Sequence, residues 1–151
     1  MSHVVSIKTE LRDIDAVKAA CADLGLTFKQ NQKTIRWFGS WANDYARDDA
    51  AYKLGIKVEQ YGTCDHAIEV PGSNYDIGLL RNPDTGGYRL YFDFWGQNGH
   101  TIQAALGQHG ETLLQYYAKH KTIAEMRKLG HMVSCTKAAN GTLKLQVTGI
   151  Q

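Results

Sequence analysis

The side chains able to do chemistry fall into three groups. In the stretch 110–129, Tyr117 and His120 stand three apart, which places them on one face of a helix. Histidine is the side chain most easily charged and discharged near neutral pH, so it can move a proton or hold a ligand. No base or nucleophile stands beside His120, so it reads as a core-edge histidine bonded through a ring nitrogen. Contact with a ligand across the sheet, shared with Tyr117, is the functional alternative. The second group alternates along one strand: Arg89, Tyr91, Asp93 and Trp95. This is either a solvated sheet face or a polar groove with aromatic walls, suited to a planar small molecule or a partner's side chain. Arg36 alternates with Ile35 and Trp37, and can pair with Asp76 or Asp93 or meet an anion. The third group is Cys64-Asp65-His66. Cys64 and His66 are expected on one strand face, where they could chelate together. No second ligand pair stands at metal spacing, however, and His66 runs in line with Ile68 and Val70, a pattern of burial. The glycine-rich WGQNGH and PDTGGY follow neither GxGxxG nor GKS/T, so no phosphate cradle is expected. These patterns predict no catalytic residue, no metal and no cofactor. A ligand or partner would meet Arg36, Asp76, Tyr91, Asp93, Trp95, Tyr117 and His120.

The elements that must position these groups are legible from periodicity and punctuation. Residues 4–8 read as a strand. Asp13 can cap a helix to about Leu24, with the stripe Ile14, Val17, Ala20, Cys21 and Leu24 and a terminating Gly25. Residues 26–29 and 34–38 read as strands joined by a turn. Residues 41–62 alternate poorly and read as an insertion or flap. It holds a short capped helix, the aromatics Trp41, Tyr45, Tyr52 and Tyr61, and the acids Asp44, Asp48 and Asp49. Strands over 65–70, 75–81 and 88–95 follow, each ended by a cluster of turn residues, and the short links imply antiparallel pairing. In the last of them Tyr88, Leu90, Phe92 and Phe94 face one way. Residues 101–110 are a short helical segment or loop, and a long helix runs from near Gly110 to about Leu129. Residues 132–136 and 142–148 close the chain as a hairpin around Asn140-Gly141. The expectation is one α+β domain over 1–151: an antiparallel sheet with two main helices packed on one face.

Composition narrows the function. A chain of 151 residues can build a real core. A net charge of +2 with dispersed basic residues falls short of the field that nucleic-acid binding needs. Three widely spaced cysteines without CxxC are not a disulfide framework and suit a reducing cytosol. The opening MSHVVSIKTELRD has no apolar signal core, and no apolar run approaches a membrane span.

Several short motifs in order carry a family resemblance: MSHVVSIKTELRD, TIRW, the YDIGL pentad, GGYRLYFD, YAKHK and NGTLKLQVTG. Together they resemble the hypothetical chloroplast reading-frame thirty-five family, a domain of plastids, cyanobacteria and other bacteria. The likeness covers most of the chain outside residues 41–62. Matching positions are Arg36, Tyr75, Asp76, Gly78, Asp93, Tyr117 and His120, to which the family assigns no role. The resemblance implies an accessory function, because bacterial members occur beside AAA-type ATPases and small ferredoxins. The reading is therefore a cytoplasmic accessory or regulatory protein that binds rather than catalyses, with a protein partner such as an AAA-type ATPase, or with further copies as a homo-oligomer. No nucleic-acid or membrane partner is expected. The alternatives are a protein that binds or sequesters a nucleotide-like small molecule, and an enzyme using His120 with Asp93 or Asp76.

Overall fold

A computed structural model describes residues 4–6, 10–37, 62–93, 95–108 and 110–149. The expected insertion, apart from Gly62, lies outside them. The elements in chain order are β1 (Val4–Ser6), α1 (Ile14–Leu24), β2 (Thr27–Lys29), β3 (His66–Glu69), β4 (Asp76–Arg81), β5 (Tyr88–Asp93), α2 (Gly96–Leu106), α3 (Glu111–Lys128), β6 (His131–Lys137) and β7 (Leu143–Gly149).

The larger sheet has the order β1-β5-β4-β3-β2, antiparallel throughout, and β6 with β7 form a separate two-stranded sheet. This is the expected α+β class with helices on one sheet face. The alternation of the strands decides which side chains meet them. Ile68, Ile77, Leu79, Leu90 and Phe92 enter one buried cluster with Val17, Ala20 and Cys21 of α1, Ile102 and Leu106 of α2, and Leu113 and Tyr117 of α3. Each fully buried aliphatic side chain there contributes roughly 1.5–3 kcal/mol relative to exposure. The other sheet face packs a smaller cluster, in which Ile35 and Cys64 cover Ala67 and Tyr91.

Local chemistry explains the helix ends. Asp13 is extended, and its carboxylate accepts the Ala16 N–H at 3.2 Å. Gly25, at φ 72°, ends α1, where Leu26 N–H reaches the Cys21 carbonyl at 2.8 Å.

Two expectations change. The glycine-rich turn expected after β5 is instead the first turn of α2, an eleven-residue helix. Burial of Ile102 and Leu106 against the core outweighs the poor helix propensity of Gly96 and Gly99. Of the strand expected over 34–38, the described residues 34–37 do not pair with β2. Their partner is the segment at 62–64, through the Thr34–Thr63 bridge, the Ile35 N–H to Gly62 carbonyl bond and the Cys64 N–H to Lys33 carbonyl bond. Asn31 directs this departure: it takes φ 63°, and its N–H donates to His66 Nδ1 at 2.9 Å. β2 then pairs with β3. Among the described residues, no helix is long and apolar enough to cross a membrane.

Candidate functional site

The seven residues expected to share a site are divided by the sheet. Asp76, Tyr91 and Asp93 lie on the face away from the helices, with Arg36 beside them. Tyr117 and His120 belong to α3, on the helix side. The sheet therefore stands between His120 and the two aspartates proposed to act with it.

Asp76 is the anchor of the far face. Its side chain is 3% exposed and accepts a forked contact from Arg36, with Nη2 to Oδ1 at 2.7 Å and Nε at 3.1 Å from both oxygens. The Arg36 N–H also donates to Oδ2 at 2.8 Å, and Asp76 N–H returns a bond to the Arg36 carbonyl at 2.9 Å. Five hydrogen bonds between one arginine and one aspartate thus fasten the chain at Arg36 over the sheet. The bond to Asp76 raises the Arg36 pKa, so the guanidinium stays charged.

Tyr91 is buried, and its hydroxyl donates to the Thr63 carbonyl. Its ring lies over Gly78, the residue paired with it across the strands; a Cβ at Gly78 would sit 2.6 Å from Tyr91 Cε1. Asp93 is 1% exposed, and its Oδ1 accepts the Trp95 N–H at 2.9 Å, just before α2. A carboxylate there also suits the positive end of the helix dipole. Trp95 is exposed at 41%, and the Arg36 side chain at 51%. An open groove walled by Tyr91 and Asp93 is not what forms: both are inside.

On the helix side, the Tyr117 hydroxyl accepts two backbone N–H groups, from Arg12 and Asp13, each at 3.0 Å. It therefore holds the chain at the entrance to α1. His120 Nε2 lies 2.6 Å from Asp23 Oδ2, and Lys119 Nζ donates to the same oxygen at 2.7 Å. Asp23 sits in the last turn of α1, where a negative charge opposes the helix dipole. The two groups from α3 compensate it. The hydrogen bond from Lys119 above all holds the Asp23 carboxyl below the usual carboxylate range; burial opposes it, and His120 adds to the lowering. Neither Asp23 nor Arg12 was singled out from the sequence. The partners lie 97 and 105 residues away from His120 and Tyr117, with no local pattern to mark them.

Cys64 and His66 do not share a face. The chain bends at Asp65, whose carboxylate accepts the Arg81 N–H at 2.8 Å. Cys64 faces Tyr91, and its thiol donates to the Gln32 carbonyl. Burial pushes that thiol up to about 12, which removes the thiolate needed for attack or metal binding at neutral pH. His66 sits on the other side between Phe28 and Tyr88, at ring-centroid distances of 5.6 and 5.2 Å. Because its Nδ1 accepts the Asn31 N–H, the ring is neutral, and burial lowers its pKa. Among the described residues no group of three or more His, Cys, Asp or Glu could hold a metal ion.

Two concavities border α3. One, of about 200 Å³, lies beside His120 between α1 and α3 and includes Asp13, Asp15 and Arg127. That is below the roughly 300–1,000 Å³ typical of small-molecule sites. The other, of about 330 Å³, lies where the hairpin tip at Asn140 and Gly141 meets Leu24, Gln115 and Tyr116.

No family model, curated protein or solved structure matches the chain.

Proposed function

We propose that this is a small cytoplasmic accessory or regulatory protein that acts by binding a macromolecular partner rather than by catalysis. One observation carries the reading. Of the four exposed large apolar side chains among the described residues, three lie at the end of α3 and on the hairpin that follows it: Leu129 at 68%, and, on opposite faces of the hairpin, Met132 at 65% and Val147 at 45%. Large apolar side chains left in water at this end of the molecule mark it for association. Meanwhile the polar side chains best suited to chemistry hold the fold: Asp76 clasps Arg36, Tyr117 anchors α1, and His120 meets Asp23. Three free cysteines fit a reducing compartment. The resemblance to the chloroplast reading-frame thirty-five family supports an accessory role and names an AAA-type ATPase as a candidate partner. A homo-oligomer is a competing use of the same surface.

A second reading, a nucleotide-like ligand, is favoured by the cavity of about 330 Å³ beneath the hairpin tip, where Lys137 and Tyr116 combine a cation with an aromatic wall. Native mass spectrometry followed by a thermal-shift screen of nucleotides and cofactors separates the two. The binding-protein reading expects no co-purified small molecule and no shift. A rise of several degrees with one compound class would replace it with the second reading, by linkage of ligand to the folded state. Turnover abolished in a folded His120→Ala variant would replace both with an enzyme.

A further inference from the structure

The chain's charge is segregated in a way its total conceals. Residues 119–151 contain six Lys or Arg and one Glu, a net +5, whereas residues 1–118 contain eleven basic and fourteen acidic residues, a net −3. The positive part coincides with the second half of α3 and the hairpin. Lys119 is engaged with Asp23, but Arg127, Lys128, Lys137 and Lys144 are exposed.

The same region carries an incomplete sheet. β6 and β7 pair only with each other among the described residues, so each seven-residue strand has an outer edge with no neighbouring strand. Such an edge is a template for another strand. On β7, Leu143, Leu145 and Val147 share the face of Val133 and Cys135, while Lys144, Gln146 and Thr148 take the other. The apolar row becomes more exposed along the strand, from partly buried Leu145 to exposed Val147. A strand added beside β7 would cover Val147 with an apolar residue and set an acidic one near Lys144.

From this geometry we infer that the β7 edge receives an extended acidic segment of a partner protein, with apolar and acidic residues in alternation. The inference rests on the binding reading above and names the chemistry of its partner. A second copy of this chain would bring one net +5 region against another, which repulsion disfavours. Nucleic acid fits less well, because the hairpin offers no arginine and no Phe, Tyr or Trp ring on which a base could stack.

The test uses the full-length protein and a fluorescein-labelled peptide of alternating Glu and Val, read by fluorescence anisotropy. An alternating Lys-Val peptide and a DNA duplex of mixed sequence serve as comparisons. The Glu-Val peptide binds, weakens with added salt, and loses about tenfold in affinity with Lys144→Glu. Hydrogen exchange slows at β7 amides when it is bound. Val147→Lys, an exposed change that spares Lys144, lowers affinity without altering the melting temperature. Equal binding of both peptides, tighter binding of the duplex, or a stable dimer dissolved by Val147→Lys would each overturn the assignment. Absence of any binding by a protein that also ignores small molecules removes the acidic-edge assignment alone. A small-molecule shift or turnover instead removes the underlying binding-protein reading.

Discussion

The five-stranded sheet and the two-stranded one are built from similar alternating sequence, yet they end in different environments. In β4, Ile77 and Leu79 are fully buried beneath the helices, while Asp76 and Gly78 on the reverse face are buried as well. In β7, Leu143 and Leu145 are only partly covered, Val147 is exposed, and Lys144, Gln146 and Thr148 meet solvent. Alternation alone thus specifies a face, and the number of layers packed against it decides how much that face contributes. A strand covered on both sides supports the fold. One covered on a single side, with an edge that is open among the described residues, remains available for something else.

The sharpest way to break this comparison is to remove equal apolar volume from each sheet. Leu79→Ala should cost about 3 kcal/mol of unfolding free energy in urea titrations, and Leu145→Ala less than about half of that, because its site is already open to water. Equal losses would mean that the hairpin is part of the same core. Next in size is Gly78→Ala, where the new methyl meets the Tyr91 ring; the expected loss is about 2 kcal/mol. The paired change Gly78→Ala with Tyr91→Leu should recover part of it, which thermal melts can show.

A smaller effect distinguishes the two sheets by pH. Burial lowers the folded-state pKa of His66, so the unfolded chain binds the proton more readily. Stability from this group is complete above the ordinary histidine value of about 6.5 and is lost as pH falls through the lower folded value. His66→Phe should flatten that slope in melts across the mildly acid range, a change confined to the larger sheet. Least of all, Val147→Ser should change stability by no more than about 0.5 kcal/mol. A larger loss would show that the exposed valine is a packing residue.

Much of the larger sheet was legible beforehand. Asp13 and Gly25 bracketed α1 through chemistry local to each end, and β5 showed its two faces through strict alternation. The hairpin followed from Asn140-Gly141. What escaped depended on distant groups. The glycines of α2 suggested a turn because nothing local reveals the cavity that Ile102 and Leu106 fill. The site was less legible than the fold for the same reason. Tyr117 and His120 do lie on the one helix α3, but Tyr117 meets Arg12 and Asp13 just before α1 and His120 meets Asp23 in its last turn. Asp76 and Arg36 were paired as one of several choices, since strand order was needed to choose between Asp76 and Asp93. The net charge of +2 hid a strong separation that only a count by segment exposes.

The Tyr117 hydroxyl, holding the N–H groups of Arg12 and Asp13, has a consequence for the chain as it is made. α1 can curl early, but its entrance is secured only after residue 117 has emerged. At about 5–20 residues per second, that delay is roughly 5–20 s. During it, the apolar stripe of Val17, Ala20 and Cys21 has no α3 to lie against. The nascent chain should therefore depend on chaperone cover until α3 has emerged, and α1 should dock late, when Tyr117 reaches Arg12 and Asp13.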